Sequence, residues 1–253
     1  GHIQGLIGNP GTTPATDVLF STGQALDSTD VTFMTLASAF NKDLTVVWAS
    51  GNNAGGRASG APALANGQHW HQFIVGVGAG DASFDVGFDT SFTAANLLAD
   101  TGGSLFRRIG STYTQAASTN IKLMSSIEGP GGSVIADVVS VILDISGAGV
   151  ASRVVTPFPV PLDVEVLATF NGRSQGTPTG TSFVYVAHTD TDDVAPGVST
   201  APLGTFGFNG SSGQNPYSQF DCRTDTSGSV GVRSFNTQDR EIVLIRYIDF
   251  RRT

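Results

Sequence analysis

The sequence has 253 residues, 40% of them hydrophobic, with 32 glycines, 16 phenylalanines and only 13% charged side chains, a composition that supplies real cores and excludes intrinsic disorder. Its 13 basic and 21 acidic residues give a net charge of −8, which argues against nucleic acid and anionic lipid, partners that call for a basic face. The longest apolar stretch, Val134 to Ile145, is broken by Asp137, Ser140 and Asp144, so no membrane span is expected, and the single Cys222 excludes an intrachain disulfide framework.

Few Lys and Glu leave little material for amphipathic helices, whereas Thr, Val, Phe and Gly suit strands and turns. The expected class is therefore mainly β. The length suggests two domains, an N-terminal β-rich one with one short helix and a C-terminal β-sandwich or jelly roll. The opening Gly1-His2-Ile3-Gln4 lacks the basic and apolar regions of a secretion signal. Because His2–Ile7 already reads as a strand in progress, the expectation is that the sequence starts inside a longer polypeptide.

Ile3–Ile7 and Asp17–Phe20 read as strands around the breakers Gly8-Asn9-Pro10-Gly11. Phe33, Leu36, Ala37, Phe40 and Leu44 keep helical spacing after the capping residues Ser28, Thr29 and Asp30, which predicts the short helix near 33–42. Val46–Ala49 follows as strand or turn, then a glycine-rich loop over 51–67. Gln68–Val77 and Ser83–Phe88 are further strands, the latter with Phe84, Val86 and Phe88 on one face. The first domain is expected over 1–112, a polar linker over 113–120 and the second domain over 121–253.

Strand candidates in the second part are Lys122–Ser126, Val134–Ile145, Leu162–Phe170, Ser182–Thr189, Leu203–Phe208, Ser218–Thr224, Ser229–Phe235 and Glu241–Phe250. The last places Ile242, Leu244, Ile248 and Phe250 on one face and Val243, Ile245 and Tyr247 on the other. A strand apolar on both faces is expected to be buried twice, against a neighbouring subunit.

His69 and His71 share one side of a strand, but no further ligands accompany them at zinc spacing, so neither metal nor cofactor is expected. Asp190-Thr191-Asp192-Asp193 lacks the glycine and glutamate of a calcium loop and reads as solvated turn. Gly129-Pro130-Gly131-Gly132 lacks the Lys-Ser/Thr of a phosphate loop and reads as a tight turn between strands. Without a nucleophile elbow no triad is supported, and no catalytic residue is expected. Arg107-Arg108 and Arg251-Arg252 read as surface or inter-subunit carboxylate partners. Cys222 reads as a half-buried strand residue.

Residues Thr35–Leu44, Trp48-Ala49, the glycine-rich loop, Ala65-Asn66-Gly67, His69–Ile74 and Phe106-Arg107-Arg108-Ile109-Gly110-Ser111 resemble, in consistent order, a module of tailed-bacteriophage tail fibre and spike proteins. His2–Leu6 resembles the opening of that module, and the likeness covers roughly residues 1–112. The second part is similar to the distal β-domain of such proteins through Asp193–Pro196, Arg223–Gly228 and Tyr247–Arg252. The resemblance implies a virion surface protein assembled in the host cytoplasm. It also implies a homotrimer in contact with other virion structural proteins and with host surface polysaccharide. The alternatives are a purely structural virion part (collar, baseplate or capsid decoration) and a polysaccharide depolymerase. Sugars are held by an aromatic face and amide side chains on exposed loops. The segment from Phe208 to Phe220 offers Asn209, Gln214, Asn215, Tyr217 and Gln219, and His188 is the further candidate.

Overall fold

Glycine- and Asx-rich turns cut the first part of the chain into short strands. A computed structural model gives the fold and describes residues 2–115, 118–122, 124–139, 145–147, 151–176, 182–195, 206–210, 217–235 and 237–251. In chain order these strands are β1 (Ile3–Gly5), β2 (Gly8–Pro10), β3 (Asp17–Phe20), β4 (Gly23–Leu26), β5 (Phe33–Leu36), β6 (Phe40–Val47), β7 (Ala54–Arg57), β8 (His69–Val77) and β9 (Ser83–Asp89). Helix α1 (Ala95–Thr101), β10 (Gly102–Tyr113), β11 (Met124–Glu128) and β12 (Val134–Val138) follow. The chain divides into two units, Gly1–Val139 with Ile248–Thr253, and Ser140–Tyr247.

The first unit holds a three-stranded sheet, β1-β4-β5, and a seven-stranded sheet, β10-β8-β9-β7-β6-β3-β2. The latter is antiparallel except where β7 runs parallel to β6 and β9. Strand β8 is buried on both faces, with Ile74 beside Val86 on one and Phe73 and Val75 on the other, and the core also holds Phe20, Met34, Leu36, Trp70, Phe88 and Leu97. Gly129–Gly132 forms the tight turn between β11 and β12, as its composition predicts.

The helix expected near 33–42 is absent. Those residues lie in β5 and β6, and burial alternates, with Met34 and Leu36 inside and Phe33 and Thr35 outside. Asp27 sets this up. Its carboxylate accepts N–H bonds from Thr29, Val31 and Thr32 and closes the β4–β5 hairpin where a helix cap was expected. The one α-helix among the described residues is α1, whose Asn96 and Leu97 N–H groups donate to Asp89 at the end of β9.

The expected linker over 113–120 is also corrected. Tyr113 ends β10, Thr114 is wholly buried with its hydroxyl donating to the Ala65 carbonyl at 2.6 Å, and Thr114 bridges to Ile121. The division between units falls after Val139 instead.

The second unit contains β13 (Ile145–Gly147), β14 (Val154–Pro157), β15 (Leu167–Gly176), β16 (Ser182–Ala187), β17 (Phe206–Gly210), β18 (Tyr217–Arg223), β19 (Ser229–Phe235) and most of β20 (Thr237–Asp249). Two sheets, β20-β15-β18 (with β13 pairing β20) and β14-β19-β16-β17, face each other as a sandwich. Phe170 stacks on Phe220 and meets Phe158 edge-on between them, with Cys222 fully buried beside Ala168. The strand expected from Leu162 begins only at Leu167, after Asp163 takes a left-handed φ of 61°.

In β20 burial passes from Ile242 and Leu244 to Tyr247 and Asp249. The alternation slips by one residue between them, so Ile248 and Phe250 do not share the burial of Ile242 and Leu244. The Arg pairs are corrected too. Arg108 is buried, donating to Asp249 at 2.6 and 3.0 Å, to Ser111 Oγ at 2.8 Å and to His71 Nδ1 at 3.2 Å. Arg107 holds the Leu26 carbonyl and Asp30, and Arg251 the Gly5 carbonyl. All three serve the first unit from within; Arg252 lies outside the described residues.

Candidate ligand-binding face

Strand β18 alternates cleanly. Phe220 and Cys222 point into the sandwich, so Tyr217, Gln219, Asp221 and Arg223 stand on its outer side. The antiparallel register with β15 sets Tyr217 opposite Arg173, Gln219 opposite Asn171 and Asp221 opposite Thr169. Directly opposed side chains are neighbours on the same face. Tyr217 is 74% exposed, and Gln219 and Asn171 are exposed beside it. The result is an aromatic ring flanked by amides and a guanidinium on a rigid sheet.

Arg173 is fixed by two carboxylates of β20, Glu241 at 2.6 Å and Asp239 at 3.1 Å. Burial works to lower its pKa, but the bond to Glu241 and the nearby Tyr217 and Asp239 outweigh that and raise it. The guanidinium is a permanent cation whose position is set by its own sheet. Thr169 donates to Asp221 at 2.6 Å, which settles the middle of the face.

Of the residues expected from sequence, Tyr217 and Gln219 come together, on a strand and not on a loop. Asn209 lies in β17 opposite Phe183. Gln214 and Asn215 lie outside the described residues. His188 does not join Tyr217. It follows β16, with Nε2 3.7 Å from Glu165, and Glu165 in turn meets Arg223 at 3.3 Å. Arg223 is six residues from Tyr217 along β18, roughly 20 Å of extended chain. The Asp190 N–H donates to His188 Nδ1 at 3.2 Å. Asn171 and Arg173 are the members that sequence reading missed. Only the cross-strand register carries that signal.

The His69-Trp70-His71 cluster is built differently. His71 is buried with its Nδ1 toward Arg108, and His69 packs on Tyr113 at 4.5 Å. Burial, and then the neighbouring His71, push the His69 pKa down to about 3. Among the described residues no group of three or more His, Cys, Asp or Glu side chains is placed to hold a metal ion. No helix among them is long and apolar enough to cross a membrane. Asp193 pairs with Arg233 at 2.8 Å, and Asp225 closes a turn onto Ser227, Ser229 and Thr189.

Compared with family models, curated proteins and solved structures, the chain gives no match.

Proposed function

We propose that this chain is a bacteriophage virion surface protein, a tail fibre or spike, that adheres to polysaccharide of the host envelope through the outer face of β18 and β15. The observation that carries the reading is Tyr217, largely exposed and standing beside Gln219, Asn171 and Arg173. A sugar ring stacks its C–H face on an aromatic ring while amides and charged groups bond its hydroxyls, and both parts are present within one strand pair. The resemblance of residues 1–112 to the fibre module supports the virion setting. No covalent chemistry is assigned to the face, whose role is adhesion. Each site is weak, and a homotrimer gives firm attachment by presenting three at once.

The test is retention of the purified chain on host cells. Tyr217→Ala is expected to abolish retention and Tyr217→Phe to keep it, since stacking needs only the ring. Normal folding with normal retention of Tyr217→Ala would overturn the proposal and favour a purely structural virion role.

A further inference from the structure

The core of the first unit buries a lysine beside an aspartate, with side-chain exposures of 0% and 2%. Lys42 sits in β6 and Asp85 in β9, with β7 between them. Lys42 crosses β7 at its glycines; a Cβ on Gly56 would come within 3.0 Å of Lys42 Cβ and 2.6 Å of the Phe88 ring. Its Nζ then lies 3.0 Å from Oδ1 and 3.2 Å from Oδ2 of Asp85. Near-equal distances to both oxygens place the amine on the bisector of the carboxyl group, which bounds its distance to the carboxyl carbon at about 3.5 Å, the outer reach of a near-attack arrangement.

We propose that Lys42 and Asp85 become joined by an amide bond between Nζ and the Asp85 side-chain carbonyl carbon. One proton passes from the ammonium to the carboxylate, leaving a neutral amine beside a neutral acid. The amine lone pair attacks the carbon, a second N–H proton goes to the departing hydroxyl, and one water leaves. No oxidant or co-reactant is needed.

The surroundings suit each step. Burial lowers the pKa of Lys42, although Asp85 opposes this, so the neutral amine is more accessible than in water. The Trp48 and Phe40 rings lie 5.4 and 5.8 Å from Nζ. The Ala49 carbonyl accepts from Nζ at 2.7 Å and orients it. Two backbone donors already hold the carboxyl oxygens, Gly51 N–H on Oδ2 at 2.7 Å and Val86 N–H on Oδ1 at 2.6 Å. They are placed to stabilise the oxyanion of the tetrahedral intermediate. The product also replaces two buried charges, costly to keep from water, with a neutral amide.

The test is the intact mass of the full chain, measured after denaturation. The unaltered protein is expected to be lighter than its sequence by the mass of one water. Fragment spectra should join the segment around Lys42 to the segment around Asp85. Lys42→Met is expected to carry the full mass of its own sequence. An unaltered chain at full sequence mass overturns the proposal, and so does a water lost elsewhere with Lys42 recovered free. Because the deciding measurement is made on the natural chain, the stability of the variant does not enter.

Discussion

Arg108 and Asp249 show how much one buried pair decides. Burial works to raise the Asp249 pKa, but the charge and two hydrogen bonds of Arg108, together with the Arg251 N–H, bring it below the usual carboxylate range. Removing one partner leaves the other charged in a dry core, a loss of about 3–5 kcal/mol. Asp249→Asn is expected to destabilise the first unit by that order, measured by chemical denaturation. Asp27 gives a pH signature. Burial tends to raise its pKa, yet the Thr29 hydroxyl and the N–H groups of Thr32, Val31 and Thr29 bring it from 3.8 to about 2. A depressed folded value means that the Asp27 contribution is complete above the unfolded pKa and is lost as pH falls through the folded one. Stability should therefore decline between about pH 4 and pH 2, and Asp27→Asn should flatten that decline in acid titration followed by circular dichroism.

At the scale of elements, the C-terminal end of β20 is the piece with most leverage. It brings Asp249 to Arg108 and leads to Arg251, whose guanidinium donates to the Gly5 carbonyl at 2.8 Å. Burial pushes the Arg251 pKa down to about 10, partly offset by Asp249 and Glu128. Deleting Ile248–Thr253 removes both clamps and leaves Arg108 without its carboxylate partner. The expected outcome is faster amide exchange in β8 and β10 together with a lower melting temperature. Unchanged exchange there would show that the clamp is dispensable. The same scale explains the misplaced helix. Phe33, Leu36, Phe40 and Leu44 fit a helical period, but Met34 and Leu36 also fit period two, and Asp27 supplies a hairpin turn that makes period two the better-satisfied choice.

For the whole molecule, the proposed trimer has a direct measure. Sedimentation at micromolar concentration should give about three times the 26.1 kDa chain mass; a stable monomer would remove the trimer and the avidity argument with it. Of the apolar last strand that motivates the trimer, Ile242, Leu244 and Tyr247 are buried within the chain, Val243, Ile245 and Ile248 are half-buried and Phe250 is exposed. The case for three copies rests on those uncovered residues, on the avidity that weak adhesion sites need and on the fibre resemblance.

Alternation and turn chemistry are local properties, so the β class, most strand positions and the turn at Gly129–Gly132 are legible in the order of residues alone. That order also pointed to Tyr217 and Gln219, through residue type alone. Where the units divide, which groups Arg107, Arg108 and Arg251 hold, and that Asn171 and Arg173 stand beside Tyr217 emerge only in the folded chain. Those facts depend on pairing between distant segments. A buried arginine and an exposed one read alike in a string of letters, and register is fixed by what the opposite strand buries, as Phe170 against Phe220 fixes Arg173 beside Tyr217.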